Sequence, residues 1–394
     1  MKISYYSSLL ILSFVSLSYL PGVLYTSVYS VLSQVIMLSM AVGLIFNYSR
    51  IDAYVKKNVI IYLFYSVFIA LLALAFYNST LVFESCLQLA ICGVAFMLGY
   101  SLRFMSDKQI FSSKIIFCSF ALIMGLVSVF ESGGFVIQDT YAISLKNSSG
   151  AILGTAMIIA IAISLETKRK FTKVLSVIVF MLLLISLLTF RNRSTLIGCV
   201  IALVLLLWKS SKDISYAKLF YYTFVTCILG FIAMYLFEIN FMQYAYDSLF
   251  ANKDTSDVND LSSGRLDMIK YGWENVITVN PIGGNMAVKK EMGCIDCFPV
   301  SVLNFQGLFG VLVYLPLYVF LFHSCYKRCK YINYCYLYPY LCLFVLLVTS
   351  FFEASFPFSP GTAVFATYFF LGIEEGRLNI RCRRQLVNNR FMCK

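Results

Sequence analysis

The sequence predicts an all-α fold: a polytopic integral membrane protein of about 12 transmembrane helices, with one large loop on the non-cytosolic side that carries an amphipathic helix. Three observations predict it. Of the 394 residues, 60% are hydrophobic and only 13% charged, about half the charge of a soluble domain, and the mean hydropathy is +0.82. Apolar runs of about 18 residues or more, enough to cross a bilayer, recur along the whole chain. Lys and Arg gather in alternate connections between those runs. A soluble protein with a large core would need a polar surface that this composition does not supply.

The runs fall at 4–20, 25–46, 58–76, 81–100, 112–130, 149–165, 174–190, 194–208, 219–237, 300–322, 335–352 and 361–373. Each must be a helix, because backbone polar groups in hydrocarbon have no water to satisfy them. The first run, MKISYYSSLLILSFVSLSYL, has one Lys and no small-x-small cleavage site, so it reads as a retained helix. With the N-terminus inside, the cytoplasmic segments are NYSRIDAYVKKN, SLRFMSDKQIFSSK, ETKRKFTK, KSSKDISYAK, HSCYKRCK and the C-terminal tail. Together with Lys2 they hold 23 of the 31 Lys and Arg, which fixes the orientation and places both termini in the cytoplasm. Spans 194–208 and 361–373 are short, but losing either would invert everything after it and spoil that bias. The net charge of +12 is therefore an orientation signal, and nucleic acid is excluded as a partner. The whole chain, 1–394, reads as one membrane domain.

Most of the 13 Cys lie inside apolar runs as small apolar fillers. CIDC (294–297) is the exception, on the outer side. Two Cys are too few for a zinc site, which leaves a local disulfide or two free thiols.

The large outer loop covers about 238–299, longer than a structureless connection in a compact protein usually runs. Within it, GRLDMIKYGWENVITV spaces Leu266, Ile269 and Trp273 on one helical face. Asn280-Pro281 stops the helix and Gly283-Gly284 turns the chain. The expected position is flat on the outer membrane surface, apolar face down. Three outer cations stand out. Arg191 and Arg193, in FRNRS (190–194), sit between two spans, where they either snorkel to headgroups or bind an anionic substrate through their guanidinium forks. Arg265 opens the loop helix, where capping or solvation competes with substrate binding. The outer acids are Asp267, Glu274, Glu291, Asp296 and Glu353, the last in FFEASFPFSP and placed to face the same cavity. Glu84 is the one acid inside a span.

These features resemble the O-antigen polymerase/ligase superfamily, and within it the Wzy-type O-antigen polymerases. The likeness rests on FRNRSTLIG (190–198), on the loop reading SGR (263–265), Trp273 and NPIGG (280–284), and on GLFG (307–310) opening the next span. It implies a glycosyltransferase at the periplasmic face of the bacterial inner membrane, with the large loop periplasmic. Growing glycan would pass from undecaprenyl pyrophosphate onto another lipid-linked oligosaccharide repeat unit, beside membrane lipid and a chain-length regulator protein as a further partner. No cofactor or metal is implied. The ligase branch carries a His ahead of its G-x-x-G. Here that position is Asp296, and the sole His, His323, falls on the cytoplasmic side, which favours polymerase over ligase. The Arg193-to-Gly198 spacing is shorter than the family pattern. The implied site comprises Arg191, Arg193 and Arg265, which stabilise the leaving pyrophosphate, and Asp296, which takes the acceptor's proton. The alternatives are an O-antigen ligase and a lipid-linked oligosaccharide flippase. The flippase reading is disfavoured because the halves show no repeat and the span interiors carry almost no charge.

Overall fold

A computed structural model describes residues 2–24, 26–77, 81–134, 146–211, 243, 246–248, 265–282, 284, 296–332, 336–353, 357–358 and 361–392. Among these the protein is all-helical, with no strand. The principal helices are α1 (Lys2–Leu17), α2 (Ser27–Asn47), α3 (Ala53–Tyr77), α4 (Leu81–Ser101), α5 (Asp107–Glu131), α6 (Lys146–Glu166), α7 (Lys170–Thr189), α8 (Arg193–Ser211), α9 (Arg265–Gly272), α10 (Phe298–Tyr331), α11 (Tyr338–Thr349) and α12 (Phe365–Met392). Six are long and apolar enough to cross a membrane: α2, α3, α5, α6, α7 and α10. Shorter apolar helices cover Tyr5–Leu17, Cys86–Ser101 and Tyr338–Thr349. The chain is thus a helical protein of membrane character.

Local signals explain several boundaries. SDKQ starts α5 with a capping box: Gln109 N donates to Ser106 Oγ (3.3 Å), and Ser106 N donates to the Gln109 side chain (3.0 Å). Pro299 and Pro339 stand in the first turns of α10 and α11, where a missing N–H costs nothing. The apolar part of α12 ends at Ile373, but its helix runs on to Met392. The predicted span 361–373 is therefore the buried first part of a longer helix whose Arg-rich end continues outward.

α6 is the centre of the bundle and the most buried of the six long helices, packed by α5, α7, α8 and α11. α4 and α12 cross so closely that a Cβ on Gly99 would lie 2.0 Å from Phe369 O, and one on Gly372 2.1 Å from Phe96 O. Only glycine allows two backbones to meet there, as small residues do in membrane helix pairs. On the other side, α2 and α3 turn Ile45, Phe46, Phe64 and Phe76 outward. An apolar exterior of that kind is what a lipid-facing helix needs and water would penalise.

Side-chain pairings sort the helix termini into two ends. At one end, Arg103 pairs with Asp52 (2.9 Å), Lys114 with Glu166 (2.7 Å), Arg377 with Asp107 (2.7 Å) and Arg328 with Glu375 (2.8 Å). At the other end, the start of α6, the α7–α8 turn, α9, the start of α10 and the end of α11 meet. The predicted span 219–237 lies outside the described residues. Its flanks stand at opposite ends: Lys209 Nζ donates to Lys330 O (2.8 Å) at the first, and Ser248 Oγ to Leu188 O (2.7 Å) at the second.

Candidate functional site

The second end gathers the residues that sequence singled out, and the backbone explains how. α7 closes with Arg191 in the left-handed region (φ 52), its N–H donating to Leu188 O at 2.9 Å. Glycine normally fills that helix-ending position, since a Cβ there costs about 1 kcal/mol. Asn192 follows and caps α8, its Oδ1 accepting from Thr195 N (3.1 Å) and lying 3.0 Å from Ser194 Oγ. The turn is tightly defined, and Arg191 and Arg193 bracket its capping residue.

The loop helix is tied to the bundle by backbone. α9 continues into a π-helical turn, Trp273–Ile277, and Gly272 packs on the Asn304 side chain of α10. The NPIGG turn then docks on a kink in α10. Gly307 has φ 59 and ψ −153 inside that helix, and Leu308 N donates to Pro281 O (3.1 Å) and Ile282 O (3.0 Å). A Cβ on Gly307 would lie 2.2 Å from Ile282 O, and one on Gly284 2.7 Å from Gly307 N. GLFG therefore does not simply open a span; its first glycine is the socket for NPIGG. Leu266 and Trp273 remain exposed, the apolar face expected to meet the membrane surface.

Glu353, just past α11, is the meeting point. It is 3% exposed, and a carboxylate so buried must be paired and hydrogen-bonded. Asn147 Nδ2, from the first turn of α6, donates to its Oε2. Ser194 Oγ donates to its Oε1 at 3.1 Å. Arg265 Nη2 stands 3.5 Å from the same Oε1 and 3.5 Å from Asp296 Oδ2. The Asp296 side chain is 38% exposed, so it forms the rim while Glu353 forms the floor. Ser301 N and Phe298 N close the neighbouring backbone, donating to Cys297 O (2.8 Å) and Ser350 O (2.8 Å). Phe298, Tyr314 and Phe358 cluster nearby with ring centroids 5.0 to 5.8 Å apart, Tyr314 stacked on Phe358 and Phe298 edge-on to Tyr314.

Of the four predicted site residues, the structure joins Arg265 to Asp296 directly. It sets Arg191 and Arg193 in the turn that contributes Ser194 to the same Glu353. Asn147, Ser194 and Glu353 were not in the predicted site set. The available signal was Glu353 itself, an acid in an otherwise apolar aromatic stretch. Cys297 stands at the N-cap of α10, pairs with no other cysteine among the described residues, and has its thiol pKa pushed up by burial; Cys294, with which it would form either a local disulfide or a pair of free thiols, lies outside the described residues, as does Glu291.

No protein-family model and no curated protein matches this chain in sequence.

Proposed function

We propose that the protein is a polymerising glycosyltransferase of the O-antigen polymerase type, working at the periplasmic face of a bacterial inner membrane on glycan carried by undecaprenyl pyrophosphate. The observation that carries the reading is the approach of Arg265, from the large loop, to the α7–α8 turn bearing Arg191 and Arg193, through Glu353. Three guanidinium groups at one end of an apolar helical bundle suit a membrane-anchored diphosphate. They stay charged in a partly desolvated setting and match phosphate oxygens in pairs.

The chemistry follows from the residue types. The acceptor sugar hydroxyl attacks the anomeric carbon of the donor glycan, and the bond to the pyrophosphate oxygen breaks. Charge grows on the departing pyrophosphate, where fixed cations act most strongly. The hydroxyl proton passes to a carboxylate. Asp296 suits that task better than Glu353: it is accessible at the rim, whereas both Glu353 oxygens are taken by Asn147, Ser194 and Arg265. The exposed apolar side of α9 and the outward faces of α2 and α3 fit a polyprenyl chain that stays in lipid.

Gene deletion followed by electrophoresis of surface glycan tests the reading. Loss of a polymerase leaves core with a single repeat unit, whereas loss of a ligase or flippase leaves core alone. Complementation with Arg191→Ala, Arg193→Ala or Arg265→Ala, at normal protein level, reproduces the one-unit pattern. Full-length chains from all three variants would remove the assigned site.

A further inference from the structure

Glu353 does something the transfer reaction does not itself require. It is buried at the end of α11 and touches three separate segments: α6 through Asn147, α8 through Ser194 and the loop helix α9 through Arg265. The other ties of the loop to the bundle, Gly272 on Asn304 and the NPIGG turn on Gly307, both reach α10. The contact of Arg265 with Glu353 links α9 to the arginine-bearing α7–α8 turn through Ser194. Asp296 cannot substitute, since it stands immediately before α10 and so belongs to the loop's own side of the site.

We infer that Glu353 is a positioning residue: it holds the Arg265 guanidinium of the loop helix against the α7–α8 turn, so that cations from two distant segments form one diphosphate-binding site. The inference rests on the proposed function for the identity of the ligand, but the pinning of α9 is a property of the protein alone. The burial asymmetry gives the two acids different tasks. Glu353 is fixed by hydrogen bonds from two other helices, so it can hold Arg265 in place whether or not an anion is bound. Asp296, at the rim, can yield its side of Arg265 to an incoming phosphate oxygen. A carboxylate left buried without Arg265 would still keep Asn147 and Ser194, so the pin can be broken without emptying the floor of the site.

The test uses the full chain in lipid nanodiscs and two readouts. Glu353→Gln preserves volume and hydrogen bonding but removes the ion pair; Glu353→Ala removes both. Hydrogen exchange, read by mass spectrometry, reports whether 265–277 stays docked, with 149–165 in α6 as the internal reference. Inorganic pyrophosphate is the binding probe, titrated by calorimetry. The expected result for Glu353→Gln is faster exchange across 265–277, unchanged exchange in 149–165, and pyrophosphate affinity weakened about tenfold or more, the scale of a lost charge-assisted contact. The double variant Arg265→Ala/Glu353→Gln should bind no more weakly than Arg265→Ala, because residues acting through one another are not additive. Unchanged exchange in 265–277 for both Glu353 variants overturns the inference, and so do losses that multiply in the double variant. Faster exchange in a protein whose wild type does not bind pyrophosphate upholds the pin and refutes the diphosphate reading instead.

Discussion

Gly307→Ala isolates the socket that receives the NPIGG turn. The added Cβ would lie 2.2 Å from Ile282 O and 2.6 Å from Gly284 N, about 1 Å inside van der Waals contact. The neighbours are backbone atoms, so no side chain can rotate away. The local φ of 59 and ψ of −153 add about 1–3 kcal/mol of strain for any residue with a side chain. Relief requires the turn to lift, which forfeits the hydrogen bonds from Leu308 N to Pro281 O and Ile282 O, about 1 kcal/mol in net terms. The total is about 2–4 kcal/mol, concentrated at one junction. Local opening of that size raises exchange at 278–284 by about 30-fold or more while the bundle core keeps its protection. A Gly307→Ala protein with wild-type protection at 278–284 would refute the docking argument, and wild-type glycan chains from it would show that docking is irrelevant to the reaction.

Three further outcomes follow from the same geometry. Arg191→Gly relieves left-handed strain worth about 1 kcal/mol but adds a comparable entropy to the unfolded chain, so the melting temperature in detergent should hold while long glycan chains disappear; a clear drop in melting temperature would contradict this. Asn192→Ala removes the cap of α8 and the Oδ1 partner of Ser194, lowering stability by about 1 kcal/mol, measured by the same melt. At the opposite end, burial raises the Glu374 carboxyl to about 7, partly opposed by Lys114 and Arg377. A carboxyl raised above its unfolded value contributes stability below its unfolded pKa that is lost as pH rises through 7. Wild-type protein should therefore lose about 3 kcal/mol between pH 5 and pH 9 from this group, and Glu374→Gln should flatten that slope; equal slopes for the two proteins would exclude Glu374 as the cause.

Much of the architecture was legible because lipid imposes a simple rule on sequence. Apolar length gave the helices, and several of the Lys and Arg that were read between them are found in ion pairs near helix termini, Arg103 with Asp52, Lys114 with Glu166 and Arg377 with Asp107. Helix ends were less legible. α12 outruns its apolar stretch, because a helix leaving lipid can continue in water once charges begin at Glu374. The loop helix was readable from the spacing of Leu266, Ile269 and Trp273, and the turn from Asn-Pro and Gly-Gly. Its docking was not, since a backbone-to-backbone contact between residues 282 and 307 leaves no mark except two glycines whose partners are unknown until the chain is folded. Glu353 was visible as an outer acid, but its role was hidden for a related reason. Its partners come from residues 147, 194 and 265, and nothing in spacing joins those numbers.

The two ends of the bundle also hold their ions differently, and that difference bears on function. Lys114 Nζ donates to both Glu166 oxygens at 2.7 and 2.8 Å and lies 3.8 Å from the Tyr338 ring. Arg328 reaches both oxygens of Glu375 at 3.0 and 2.8 Å. These are charge-assisted bonds at full strength, with each cation matched to one acid. An anion could displace such a partner only by breaking two short ionic hydrogen bonds at once. Arg265 is placed otherwise. It stands 3.5 Å from each of two carboxylates, beyond the distance of a strong ionic hydrogen bond, and one of those acids is at the rim. A doubly charged phosphate that drew on Arg265 would take the place of Asp296, which is left to water at the rim, while Glu353 keeps Arg265 together with Asn147 and Ser194. The first end matches each cation to one acid at close range, whereas at the second Arg265 can trade its rim partner Asp296 for an incoming anion and keep the buried Glu353, as the proposed diphosphate site requires.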